Sequence, residues 1–185
     1  MHAWSATSPA GRIDSDVLDT TGLVETDILG QPGVFLRPGD WLFGRGAYRV
    51  STVLGSCVAL VLWSPRMQLG ALCHCMLPHR GSRSSGNEAL DGRYGVDAGQ
   101  WLEAQFTRHG CFRSEIDVAI AGGACVNDVS IGQANVLWAQ DWVARQGLCL
   151  VQQDVGGKVV RRLTFNLGDG SLTISHGGRL GNMEV

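Results

Sequence analysis

Residues 49–76 read RVSTVLGSCVALVLWSPRMQLGALCHCM, and this stretch decides the fold. Arg49 to Leu54 is β-branched and reads as a strand, which Gly55-Ser56 interrupts. Cys57 to Trp63 is apolar at every position, so it reads as a strand covered on both faces and central to a sheet. Ser64 to Gln68 turns the chain. Leu69 to Met76 is a third strand, closed by Pro78. Further along, residues 80–92 form a polar loop. The pattern then predicts a helix over Tyr94–Arg108, with Val96, Trp101, Leu102 and Phe106 apolar and Gly110 as its stop. Ile116–Ala121 reads as a strand before Gly122-Gly123. A second helix runs from a capping box at Ser130 and Gln133 to about Gln146, with Ala134, Leu137, Trp138 and Trp142 as its buried stripe. Strands at Leu148–Asp154, Val159–Asn166 and Leu172–Ser175 complete the pattern. The expected class is α/β (α+β): a single domain in which a mixed β-sheet sandwich is layered with about two long helices. The domain is expected over residues 33–176. Residues 1–32 read as a flexible tail with a short helix near Ser15–Leu23, and 177–185 as a frayed C-terminus.

Composition narrows the function classes. The 185 residues are 44% hydrophobic and 17% charged, enough apolar content for one sizeable core. A net charge of −2 provides no basic field for nucleic acid. No apolar run reaches the roughly 18 residues of a membrane span. The start, Met1-His2-Ala3-Trp4-Ser5, carries no basic-then-apolar export signal, so the expected location is cytoplasmic. Six cysteines stand at 57, 73, 75, 111, 125 and 149. A reducing compartment argues against a disulfide framework, and most of these thiols read as small buried hydrophobes.

One constellation departs from plain packing. Cys57 follows a Gly-Ser break between strands, where backbone N–H groups of Gly55 and Ser56 can turn outward to lower a thiol pKa or hold an oxyanion. The plainer reading is a packed thiol after a turn. His74 lies on the next strand, where alternation sets it opposite Cys73 and Cys75 and beside Leu72 and Met76. An imidazole on an apolar face is costly without a partner, so it needs a hydrogen bond or a role. Cys57 and His74 together suit a nucleophile and its base. Thr52 or Ser51 supplies a hydroxyl to orient the imidazole, against the plainer reading of a packing strand residue. Cys73, His74, Cys75 and His79 suggest a metal on paper. Their spacing is wrong for a structural zinc frame, and alternation turns His74 away from both cysteines.

Leu54-Gly55-Ser56-Cys57-Val58 is followed seventeen positions after the cysteine by His74, within His-x-Met-Leu-Pro. With Arg93-Tyr94-Gly95, Gly122-Gly123-Ala124, Ile131-Gly132 and Asn135, Asp154-Val155-Gly156-Gly157 and Arg161-Arg162, this resembles the chemoreceptor glutamine deamidases, the CheD family, over about residues 34–175. The resemblance implies a Cys-His-Thr site with Cys57 as nucleophile and His74 as base. The family's threonine lies five or six positions before the cysteine, so Thr52 and Ser51 both qualify and Thr52 is preferred. It implies deamidation of glutamines on methyl-accepting chemotaxis receptors through a thioester, without a metal or organic cofactor. Binding to a CheC-type chemotaxis phosphatase is implied for some members. The sequence departs from the family pattern in the cysteines flanking His74 and in Trp63-Ser64-Pro65, positions that bear on packing and a turn. A rival of another class is a non-catalytic binding module for a chemotaxis phosphatase or receptor. A further rival is a different Cys–His acyl-transfer enzyme.

Overall fold

The central strand is buried along its whole length: every residue of Val58–Ser64 is inaccessible. Its even positions, Val58, Leu60 and Leu62, enter one apolar cluster, and its odd positions, Ala59, Val61 and Trp63, enter another. A period of two with both faces apolar therefore makes this strand the middle of three layers. The computed structural model describes residues 17–26, 32–81, 88–125 and 129–179. In chain order the strands are β1 (Val17–Thr20), β2 (Leu23–Thr26), β3 (Pro32–Phe35), β4 (Trp41–Arg45), β5 (Arg49–Leu54), β6 (Val58–Ser64), β7 (Leu69–Cys75), β8 (Asp117–Gly122), β9 (Cys149–Val155), β10 (Val159–Asn166) and β11 (Leu172–Arg179). Helix α1 (Gly95–Arg108) precedes β8, and helix α2 (Val129–Gln146) follows it.

Six strands form one sheet in the order β1-β4-β7-β6-β8-β9, and five form a second in the order β11-β10-β5-β3-β2. Both sheets are mixed: β8 pairs with β9, and β3 with β5, in parallel, while their other neighbours run antiparallel. The helices cover the outer face of the six-stranded sheet through Trp101, Leu102, Phe106, Trp138, Trp142 and their neighbours. The second sheet covers its inner face through Val50, Leu54, Leu163 and Phe165. The expected α+β sandwich with two long helices is thus realised as helices, sheet and sheet. Consecutive strands β5 and β6 lie in different sheets, so Gly55–Cys57 is the crossover between them at one end of the sandwich.

Several local expectations differ. Val17–Thr20 and Leu23–Thr26 are edge strands rather than a tail with a helix; β1 pairs with β4 and β2 with β3. Short runs such as Val-Leu-Asp-Thr are too brief to show periodicity, and pairing to a waiting sheet edge supplies the order. The Asp19 carboxylate also accepts from Gln105 Nε2 of α1 at 2.9 Å. At the other terminus β11 extends to Arg179, beyond the expected end at Ser175. Residues 82–87 of the 80–92 loop and the last six residues lie outside the described residues. Helix α2 starts at Val129, so Ser130 sits inside the first turn and not at the cap. Its buried face is Asn135, Trp138, Ala139, Trp142 and Val143, whereas Ala134 and Leu137 face solvent.

Candidate active site

His74 lies on β7 opposite Ala59 of β6, and its ring points between the two sheets, 2% exposed. Its backbone is fixed by the neighbouring turn: His74 N–H donates to Asp40 O at 3.0 Å and Gly39 N–H donates to His74 O at 2.8 Å. From the opposing sheet, β5 presents Thr52, fully buried, with Oγ1 2.8 Å from His74 Nδ1. The Thr52 hydroxyl has one hydrogen and donates it to Leu36 O at 2.7 Å. Toward the ring it can only accept, so the neutral imidazole carries its proton on Nδ1 and a lone pair on Nε2. Nε2 is buried and has no hydrogen-bond partner among the described residues. Burial lowers the His74 pKa from 6.5 to about 4, against the smaller raising effects of the Leu36 carbonyl and Asp40. The ring is therefore a neutral, oriented base with its lone pair free. Ser51, by the alternation of β5, shares the outer face with Arg49 and Val53, and its carbonyl accepts from Leu36 N–H at 2.9 Å.

Cys57 is half-buried immediately before β6 and packs against the same inter-sheet cluster that surrounds His74. Along β6 it lies two residues before Ala59, the cross-strand partner of His74. Cys57 and His74 are thus set one diagonal step apart, toward the cluster between the sheets. The crossover carrying it is held by its carbonyls. Gly55 O accepts from Ala124 N–H at 2.8 Å, and Cys57 O accepts from Gly123 N–H at 2.7 Å. Ser56 O accepts from Asn135 Nδ2 at 2.9 Å. With all three carbonyls engaged, the amide of Cys57 lies against its own thiol. Burial pushes the thiol pKa up, and that amide acts in the opposite direction. Gly122, at φ +110°, allows this close contact, since a β-carbon there would lie 2.2 Å from Cys57 O.

The family model described as CheD chemotactic sensory transduction matches residues 76–176. The chain belongs to the CheD family. It is 34% identical over 148 residues to the "Probable chemoreceptor glutamine deamidase CheD 3" of Dechloromonas aromatica, covering 77% of this chain and 86% of that protein. The corresponding CheD 1 of Chromobacterium violaceum is 36% identical over 154 residues, 76% of each chain. The CheD of Pseudomonas syringae pv. tomato is 33% identical over 156 residues, 80% of this chain and 91% of its own.

Other residues of this CheD chain fall around the crossover. Arg161 of β10, which pairs with Leu54, is only 3% exposed and donates from Nε to Asp154 Oδ1 of β9 at 2.8 Å. His176 Nε2 meets the other oxygen of Asp154 at 2.7 Å. Burial works against ionisation of Asp154, but the bonds from Arg161 and His176 outweigh it and hold its carboxyl below the usual value. This network ties the two sheets together at the end that holds Cys57. Cys73 and Cys75 face the helix layer with their sulfurs 3.6 Å apart, and His79 is exposed, so they do not converge on His74. The sequence reading left out Asn135 as a site residue. Its signal was a lone polar residue in register with Gly132, Trp138, Ala139 and Trp142 on one helix face.

Proposed function

We propose that this chain is a protein-glutamine deamidase acting on methyl-accepting chemotaxis receptors, with Cys57 as nucleophile, His74 as base and Thr52 as the group that orients His74. The observation carrying this is the His74 imidazole: Nδ1 is fixed by a Thr52 hydroxyl committed to Leu36 O, and buried Nε2 has no partner among the described residues. The names of the relatives supply the substrate class.

In the first step His74 Nε2 takes the thiol proton as Cys57 Sγ bonds to the side-chain amide carbon of a receptor glutamine. The carbonyl π-pair moves onto oxygen, and the N–H groups of the Gly55–Cys57 crossover hold that oxyanion. One such donor is worth roughly 3–4 kcal/mol in the transition state. The protonated His74 passes its proton to the amide nitrogen, the C–N bond breaks and ammonia leaves. Water then loses a proton to Nε2 and attacks the thioester; glutamate forms and Cys57 recovers its proton from the imidazolium. Throughout, the Nδ1–H bond to Thr52 keeps the ring in one orientation and stabilises its charged form.

A cytoplasmic location and a CheC-type phosphatase partner belong to the same proposal. No helix among the described residues is long and apolar enough to cross a membrane. The test is ammonia release from a chemoreceptor cytoplasmic fragment by the intact protein, Cys57→Ala and His74→Ala. Release by the intact protein alone supports the deamidase. A folded intact protein that releases none, with Cys57 unreactive to brief alkylation, favours the binding-module reading.

A further inference from the structure

Asparagine is a poor choice for a buried position inside a helix, both for its low helix propensity and for the cost of burying an amide. Asn135 of α2 is nonetheless completely buried. Both hydrogens of its Nδ2 are used, one on Ser56 O at 2.9 Å and one on Met76 O at 2.8 Å. The flipped amide would set an oxygen against two carbonyl oxygens, so the orientation is fixed by chemistry. Its Oδ1 has no partner among the described residues. The amide thus leaves its acceptor unmet and spends both donors on two chain segments. Those segments carry the reacting side chains: Ser56 precedes Cys57, and Met76 is two residues beyond His74. The same helix braces the crossover again at Gly132, where a β-carbon would lie 2.6 Å from Ala124 O, in the turn whose amides hold Gly55 and Cys57.

We propose that Asn135 is a positioning residue which holds the crossover bearing Cys57 against the strand bearing His74, setting the distance over which the thiol proton is transferred. This rests on the roles given to Cys57 and His74 above. Without the donor, two carbonyls directed at the same point lose their shared partner and repel, and the crossover moves from the strand. Asn135 touches no reacting atom, so its loss slows the chemical step and leaves substrate binding alone.

Asn135→Asp keeps the shape and loses the donors; Asn135→Ala and Asn135→Ser cover failure of that variant to fold. Val143→Ala, in the core of the same helix, is the control for lost stability. The expected result is a fall in kcat of about 100-fold with KM within about twofold, as for a displacement near 1 Å. Cys57 alkylation by iodoacetamide at neutral pH, measured without substrate, falls toward the rate of His74→Ala. Val143→Ala, with a comparable drop in Tm, keeps its kcat and alkylation rate. A folded Asn135→Asp with unchanged kcat and alkylation overturns the proposal, as does Val143→Ala losing both in proportion to Tm. If the intact protein releases no ammonia from the receptor fragment, the deamidase reading fails, and the alkylation comparison still decides the role of Asn135.

Discussion

A His74 base held neutral by burial gives a distinctive pH profile. Its pKa is lowered from 6.5 to about 4, and it is 2% exposed. At pH 5 a base with pKa about 4 is roughly 90% in its working form, whereas one at 6.5 is roughly 3% so, a gap of about thirtyfold. The acid limb of kcat/KM for ammonia release is therefore expected near pH 4, with a plateau through pH 7. The same shift acts on stability. The folded pKa lies below the unfolded one, so the unfolded state binds more protons between the two, and stability falls as pH falls through that window. Linkage gives a loss from this residue of about 2 kcal/mol by pH 5 and about 3 kcal/mol by pH 4. Denaturant unfolding of the intact protein and of His74→Gln at pH 7, 5 and 4 isolates it, because the variant lacks the titrating group. An acid limb near pH 6.5, with no difference in pH dependence between the two proteins, refutes the claim that His74 is a desolvated neutral base.

Thr52→Val removes the hydroxyl that accepts from His74 Nδ1–H and donates to the Leu36 carbonyl, at about 1–3 kcal/mol for each lost buried bond. Its kcat is expected to fall roughly ten- to a hundredfold with the fold retained in circular dichroism. Gly122→Ala sets a β-carbon 2.2 Å from Cys57 O at φ +110°. A loss of about 1–3 kcal/mol by thermal unfolding, with a changed Cys57 alkylation rate, is the expected outcome. Arg161→Met leaves Asp154 with His176 alone; since Asp154 is partly exposed, urea unfolding should show a loss near about 3 kcal/mol, the low end for a broken buried pair.

The three strands from Arg49 to Cys75 were legible because their apolar content is local. Continuous burial of β6 and the alternation of β7 follow from residues adjacent in the chain, and so does the orientation of His74 away from Cys73 and Cys75. What joins β5 to β6 was not legible in the same way. Nothing in Gly55-Ser56 states that the strands on either side belong to different sheets, yet that crossover is what brings Thr52 across the sandwich to His74. The preference for Thr52 over Ser51 rested on residue type and resemblance, whereas the alternation of β5 separates them physically. Edge strands β1 and β2 owe their order to partners far along the chain. The face of α2 was misread by one position because Ala134 and Leu137 are the more apolar choice. The chain instead buries Asn135, whose value lies in two carbonyls 59 and 79 residues away.

The most direct measurement is mass spectrometry of a chemoreceptor cytoplasmic fragment incubated with the intact protein and, separately, with Cys57→Ala. Conversion of particular glutamines to glutamate, without cleavage or crosslinking and absent with Cys57→Ala, is the predicted result. Conversion that persists with Cys57→Ala, or a cleaved or crosslinked product in its place, contradicts the assignment of Cys57 as a deamidase nucleophile.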